Sequence, residues 1–127
     1  MVEHDARLQA KLGLSLYEIY RERVRQIVEE KYTIEHDLAH HGKEELIAAA
    51  RCYLIRPELR SDVMGKYIDR ARWPFEESAW KPTPDDRIRE LIKAAALIAA
   101  EIDRLLIVQG KAIQPEMSEV QDGNKTI

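Results

Sequence analysis

In TIEHDLAHHGKEEL, residues 33–46, three histidines and four acids share fourteen positions. On a helix, His36 and His40 stand one turn apart with Asp37 beside that face. Imidazoles at that spacing can share a metal ion, and a carboxylate can complete or orient the set. The same residues also make an ordinary capped helix start. Thr33 accepts from free amides, and Glu35 and Asp37 sit where the helix dipole favours negative charge. The spacing is common and the helix short, so no metal ligand and no cofactor is assigned. His36, Asp37 and His40 are expected instead to wall a small-molecule site.

Two further constellations carry chemistry. Glu44, Glu45, Glu101 and Asp103 fall on two helices expected to pack together. All-α nucleotide pyrophosphohydrolases hold magnesium with carboxylates from facing helices, but their acid sets are denser. Ion pairing with Arg51, Lys93 or Arg104 is the favoured reading. The other set is aromatic and basic: Tyr53, Tyr67, Trp73, Phe75, Trp80 and Lys81, with Arg70, Arg72, Arg87 and Arg89 near in sequence. Rings stack on bases, and cations hold phosphates. Tyr53, Trp73 and Trp80 are expected to close the site, with Lys81 or Arg87 at the phosphates; core plugging by the two tryptophans is the alternative. No phosphate-binding G-x-x-x-x-G-K-[ST] loop, nucleophile elbow or cysteine-rich zinc pattern is present.

These residues need helices to hold them. Residues 1–14 are weakly patterned and read as an arm or short helix. Ser15 and Glu18 have capping-box spacing, predicting a helix over about 15–31 with Leu16, Tyr20, Val24, Ile27 and Val28 as its apolar stripe. Arg21, Glu22, Arg25 and Glu29 form the opposite, solvated ladder. Gly42 ends the short histidine turn, a helix over about 43–55 follows, and Pro57 marks its end. Residues 57–82 read as an ordered aromatic loop with one short helix in ELRSDVMGKYID. Thr83 and Pro84 start the strongest element, a helix over about 84–109 capped by Gly110. Its stripe is Ile88, Leu91, Ile92, Ala95, Ile98, Ala99, Ile102, Leu105 and Leu106. Its apolar girth from Ala94 to Ala100 predicts burial by neighbours, a second subunit included. Residues 111–127 lack periodicity and read as a disordered tail. The fold class is all-α, with a single helical domain over 15–110.

Composition bounds the partners. A net charge of −3 argues against a general nucleic-acid binder. The single Cys52 excludes an intramolecular disulfide, fits a reducing cytosol, and reads as a buried, inert thiol within IAAARCYLI. The longest apolar run, AAALIAA, is far short of a membrane span. The polar opening MVEHDARLQA does not read as a signal peptide.

TIEHDLAHHGKEELIAAARCY, WPFEESAWKP and RIRELIKAAALIAAEIDRL together resemble a family of small phage- and prophage-encoded proteins. In outline those carry a W-T-P-E-H-D-x-x-H segment, an E-L-x-x-A-A-x-x-Y helix, a W-x-W-x-x-x-W-K-P loop and a K-A-A-A-L-I-x-A-E-I-x-R-L helix. The match runs over roughly residues 20–107 and falls on Glu35, His36, Asp37, His40, Glu45, Tyr53, Trp73, Trp80, Lys81, Lys93, Glu101 and Arg104, among others. Ile34 stands where the family has proline, and the stretch from Leu59 to Arg72 differs. The family marker names no chemistry, but it implies action in the cytoplasm of a bacterial host. The leading expectation is a non-enzymatic homo-oligomer that sequesters a nucleotide-derived small molecule, a host defence signal in particular. The alternatives are a metal-dependent nucleotide pyrophosphohydrolase and a protein–protein inhibitor of a host factor.

Overall fold

The computed structural model describes residues 2–60 and 73–112. Within them lie four α-helices and two short 3-10 turns, with no strand. The all-α expectation therefore holds. Helix α1 (Val2–Glu29) is interrupted at Gly13, whose φ of +84° and ψ of 162° only glycine adopts without strain. The break lies two residues before the expected cap at Ser15. The stretch that reads as an arm or short helix is the first leg of this helix.

Helix α2 (Ile34–His40) starts as expected: Thr33 Oγ1 accepts from the His36 amide at 3.1 Å. Helix α3 (Glu45–Leu54) matches the expected 43–55 element. Helix α4 (Arg87–Val108) begins three residues later than Thr83 and Pro84 suggest. Residues 83–86 instead form a turn, closed by the Asp86 amide donating to the Thr83 carbonyl at 2.8 Å. The Thr83 amide is committed to Glu90, and Asp86 becomes the cap, accepting from the Arg89 amide. At the far end, Gly110 (φ +76°) donates to Ile107 and Lys111 to Leu106, a Schellman motif. The short helix expected in ELRSDVMGKYID, residues Tyr67, Arg70 and Arg72, and the tail past 112 lie outside the described residues.

Helix α4 is the axis on which α1, α2 and α3 pack. Leu46, Ala49, Ala50 and Tyr53 of α3 meet Ala94, Leu97 and Ala100 of α4, with Trp73 joining them. Small residues here let the helices approach closely. Cys52 is fully buried in the same core, as expected, and burial pushes its thiol up to about 11.

The largest departure from expectation is which faces of α1 and α4 point inward. The stripe Leu16, Tyr20, Val24 and Val28 is exposed, whereas Glu22 of the supposed solvated ladder is buried with Gln26. On α4, Ile88, Leu91, Ile98, Ile102 and Leu105 face outward. Glu90, Lys93, Glu101 and Arg104 are buried. Periodicity locates an amphipathic face but does not say what covers it. Ala96 and Ala100 are likewise buried within this chain, so a charge placed there would test the core and not a subunit contact.

The inward carboxylates of α1 and α4 are paired. Glu22 takes hydrogen bonds from Arg25 at 2.9–3.1 Å, from Gln26 at 3.2 Å and from Arg89. Glu90 receives Arg60 in a two-pronged contact at 2.9 Å, Arg87 at 3.2 Å and the Thr83 amide at 3.0 Å. Burial alone would raise both carboxyls, but these guanidinium contacts outweigh it and hold each below its ordinary 4.5. Glu101 is clasped by Arg104 at 2.8–2.9 Å.

Candidate functional site

The histidine segment and the aromatic loop face each other across one cleft. A cleft of about 500 Å³ is lined by Glu30, Tyr32, His36, His41, Pro74, Phe75, Glu76, Ser78 and Ala79. The α1–α2 link supplies Glu30 and Tyr32, helix α2 His36 and its C-cap His41, and the loop the rest.

The loop is pinned from below. Trp73 is buried and donates its indole N–H to the Glu76 carbonyl at 2.9 Å. The Lys81 amide donates to the Tyr53 hydroxyl at 3.1 Å, and the Lys93 ammonium donates to the Lys81 carbonyl. That ammonium lies 5.6 Å over the Tyr53 ring. Burial raises the Tyr53 hydroxyl to about 12, and burial lowers the Lys93 ammonium. These groups hold backbone and leave the cleft to others.

The cleft walls are rings and carboxylates. The Tyr32, His36, His41 and Phe75 rings contact one another with centroids 4.9–6.2 Å apart. His41 Nδ1 stands 2.8 Å from Asp37 Oδ1, a hydrogen bond buried on both sides. Burial, and then the neighbouring His41 and His40, lower the His36 imidazole below its ordinary value. Glu30 is bound by Lys81 at 2.7 Å and by Arg25 at 3.3 Å, which places two cations just behind the wall.

The expected site residues therefore separate. His36 opens on the cleft with Asp37 behind it, and His40 is exposed beside His36, ring centroids 4.7 Å apart. Tyr53, Trp73 and Trp80 are packed together, with ring centroids 4.8–5.7 Å apart, and Trp80 lies under Arg60. They plug the core side of the loop and do not line the cleft. Lys81 reaches its rim only through Glu30. Arg87 does not face it: its guanidinium donates to the carbonyls of Tyr53, Leu54 and Ile55, closing the C-terminal end of α3.

Tyr32, His41, Glu30 and Glu76 were not legible as site residues. One signal was available: His41 is four residues after Asp37, the same spacing that singles out His36 and His40. The carboxylate set Glu44, Glu45, Glu101 and Asp103 does not assemble into a cage. Glu101 is taken by Arg104, Asp103 stands 3.9 Å from Arg23, and Glu45 accepts from the Lys43 amide. No helix among the described residues is long and apolar enough to cross a membrane. The chain matches no family model, no curated protein and no solved structure.

Proposed function

We propose that this is a homo-oligomeric binding protein that sequesters a planar, nucleotide-derived small molecule in the cleft between the histidine helix and the aromatic loop. The observation that carries this reading is the ring-lined cleft itself. Phe75, Tyr32 and His36 offer faces for a flat heterocycle, and Glu30, Glu76 and Ser78 offer acceptors for its amino and imino hydrogens. Lys81, freed from Glu30, can reach an anionic substituent at the rim. The resemblance to phage and prophage proteins supports a role in the cytoplasm of a bacterial host, with a defence signal as the ligand. A pyrophosphohydrolase is less well supported, because Glu101 and Asp103 are engaged by Arg104 and Arg23 and Glu45 by the Lys43 amide.

The homo-oligomer is supported by the outward apolar residues of α1 and α4. Ile88, Leu91, Ala95, Ile98, Ile102 and Leu105 follow alternating steps of three and four, the pattern of a helix–helix seam. Leu14 and Ile19 of α1 join this seam at an apolar groove of about 470 Å³. A self-complementary seam of this kind is best filled by a second copy.

Phe75→Ala tests the cleft. Loss of a stacked ring is worth about 1–3 kcal/mol per base, so affinity for a bound nucleotide should fall roughly 5–150-fold while the fold persists. Calorimetry against cyclic dinucleotides and ADP-ribose derivatives measures it, and mass spectrometry of the released molecule separates the readings. Intact nucleotide supports sequestration and cleaved nucleotide a hydrolase. No nucleotide at high micromolar concentration favours the host-protein inhibitor.

A further inference from the structure

Three donors from one short segment converge where His36 and His41 line the cleft and Asp37 lies behind them. One ligand atom each from His36, Asp37 and His41 lies within 4.8 Å of the others. Asp37 Oδ1 stands 2.8 Å from His41 Nδ1 and 3.9 Å from His36 Nδ1. Ligands bound tetrahedrally at ~2.1 Å stand ~3.4 Å apart, so small side-chain rotations suffice to bring the set onto one ion.

An independent observation is that the cluster is unsatisfied. Asp37 Oδ2 and His36 Nδ1 are both buried and have no hydrogen-bond partner among the described residues. Buried polar atoms, carboxylate oxygens above all, are rarely left so. Arg23 does not supply the missing contact. Its Nη2 is 4.0 Å from Oδ2, beyond hydrogen-bonding range, and it leans equally on Asp103 at 3.9 Å.

We propose that His36, Asp37 and His41 bind a divalent transition-metal ion of the zinc type, with its remaining coordination positions open to the cleft. Two imidazoles and a carboxylate select such ions over calcium or magnesium, which prefer oxygen. Asp103 beside Arg23 offsets the repulsion between that guanidinium and the ion. His40, exposed next to His36, is outside the set. The ion's role toward a ligand rests on the cleft being the binding site: it would supply positive charge to a wall that otherwise presents carboxylates. The site itself does not depend on that reading.

Chelator-stripped full-length protein titrated with zinc, and with cobalt for its visible ligand-field bands, tests this without any nucleotide. The expected result is uptake of one ion per chain at micromolar metal, with a higher melting temperature on zinc addition, because an ion held by the folded state stabilises it. That reverses the sequence-based reading of no metal. His36→Ala, a partly exposed position, should keep the helical circular dichroism and weaken uptake by at least roughly tenfold, a loss seen even for outer partners of metal ligands. His40→Ala and Phe75→Ala should take up zinc as the wild type does, so a failure of nucleotide binding leaves this result standing. No uptake at micromolar zinc, uptake that His36→Ala leaves unchanged, or uptake that His40→Ala abolishes overturns the proposal.

Discussion

Glu90→Gln should lower the unfolding free energy by about 3–5 kcal/mol, the usual loss when one partner of a buried ion pair is removed. The residue is wholly inaccessible and binds Arg60, Arg87 and the Thr83 amide at once. Glutamine keeps the volume and one acceptor but removes the countercharge of two guanidinium groups and aims N–H groups at them. A single domain has only about 5–15 kcal/mol in total, so the variant should be close to unfolding at 37 °C. Urea denaturation followed at 222 nm measures the change, and a loss under about 1 kcal/mol would mean that Glu90 behaves as an exposed pair.

The same residue sets a pH dependence. Glu90 and Glu22 are both held below 4.5 in the folded state. In the unfolded chain they take up protons first as pH falls. Their contribution is therefore complete above about pH 5 and is lost progressively through and below 4.5 as the folded-state carboxyls protonate. The fold should acid-denature more steeply than Glu90→Gln, in which one of these groups is gone.

Ile98→Glu combined with Ile102→Glu should turn the proposed homo-oligomer into a folded monomer. Both residues lie on the outward seam of α4, and Ile102 is about half exposed in the single chain, at 52%. In an oligomer each glutamate would bury an unpaired charge. A penalty of about 3 kcal/mol or more weakens association over a hundredfold. In the monomer the same carboxylates face water and cost little. Ala96→Glu is the contrasting variant: with no accessible surface in the single chain, Ala96 has no room for a carboxylate, and that change should unfold the protein. Light scattering at micromolar concentration reports the assembly state, and a monomeric wild type would contradict the seam.

How far the sequence could be read follows from which signals are local. Thr33, Pro57 and Gly110 each specify backbone geometry through their own side chain or its absence, and the helix ends they mark are where the residues place them. The start of α4 is misplaced because the Thr83 amide is drawn to Glu90, a contact between an element and its own lead-in that no cap rule contains. The orientation of α1 is hidden for a different reason. Its two faces are apolar and charged, and a chain that buries Glu22 against Arg89 while leaving the apolar face outward has the same periodicity as one that does the reverse. The site was half legible. Spacing points to His36 and Asp37 of the candidate cleft, whereas His41 shares the i, i+4 relation and only the fold separates it from His40. The tryptophans carry the chemical types of a stacking site and the burial of a core, and only packing separates the two.

The fully buried Cys52 makes the chain its own timekeeper. A thiol reagent in solvent can reach that sulfur only when the packing around it opens, and this is the only cysteine in the sequence. The ratio of its alkylation rate to that of a free cysteine therefore measures how often the core opens, when reclosing outpaces the reagent. Any molecule that binds the closed form and not the opened one, the proposed zinc, nucleotide or second copy among them, slows this clock in proportion to its occupancy. One reactive atom can thus rank the three proposed occupants on a common scale.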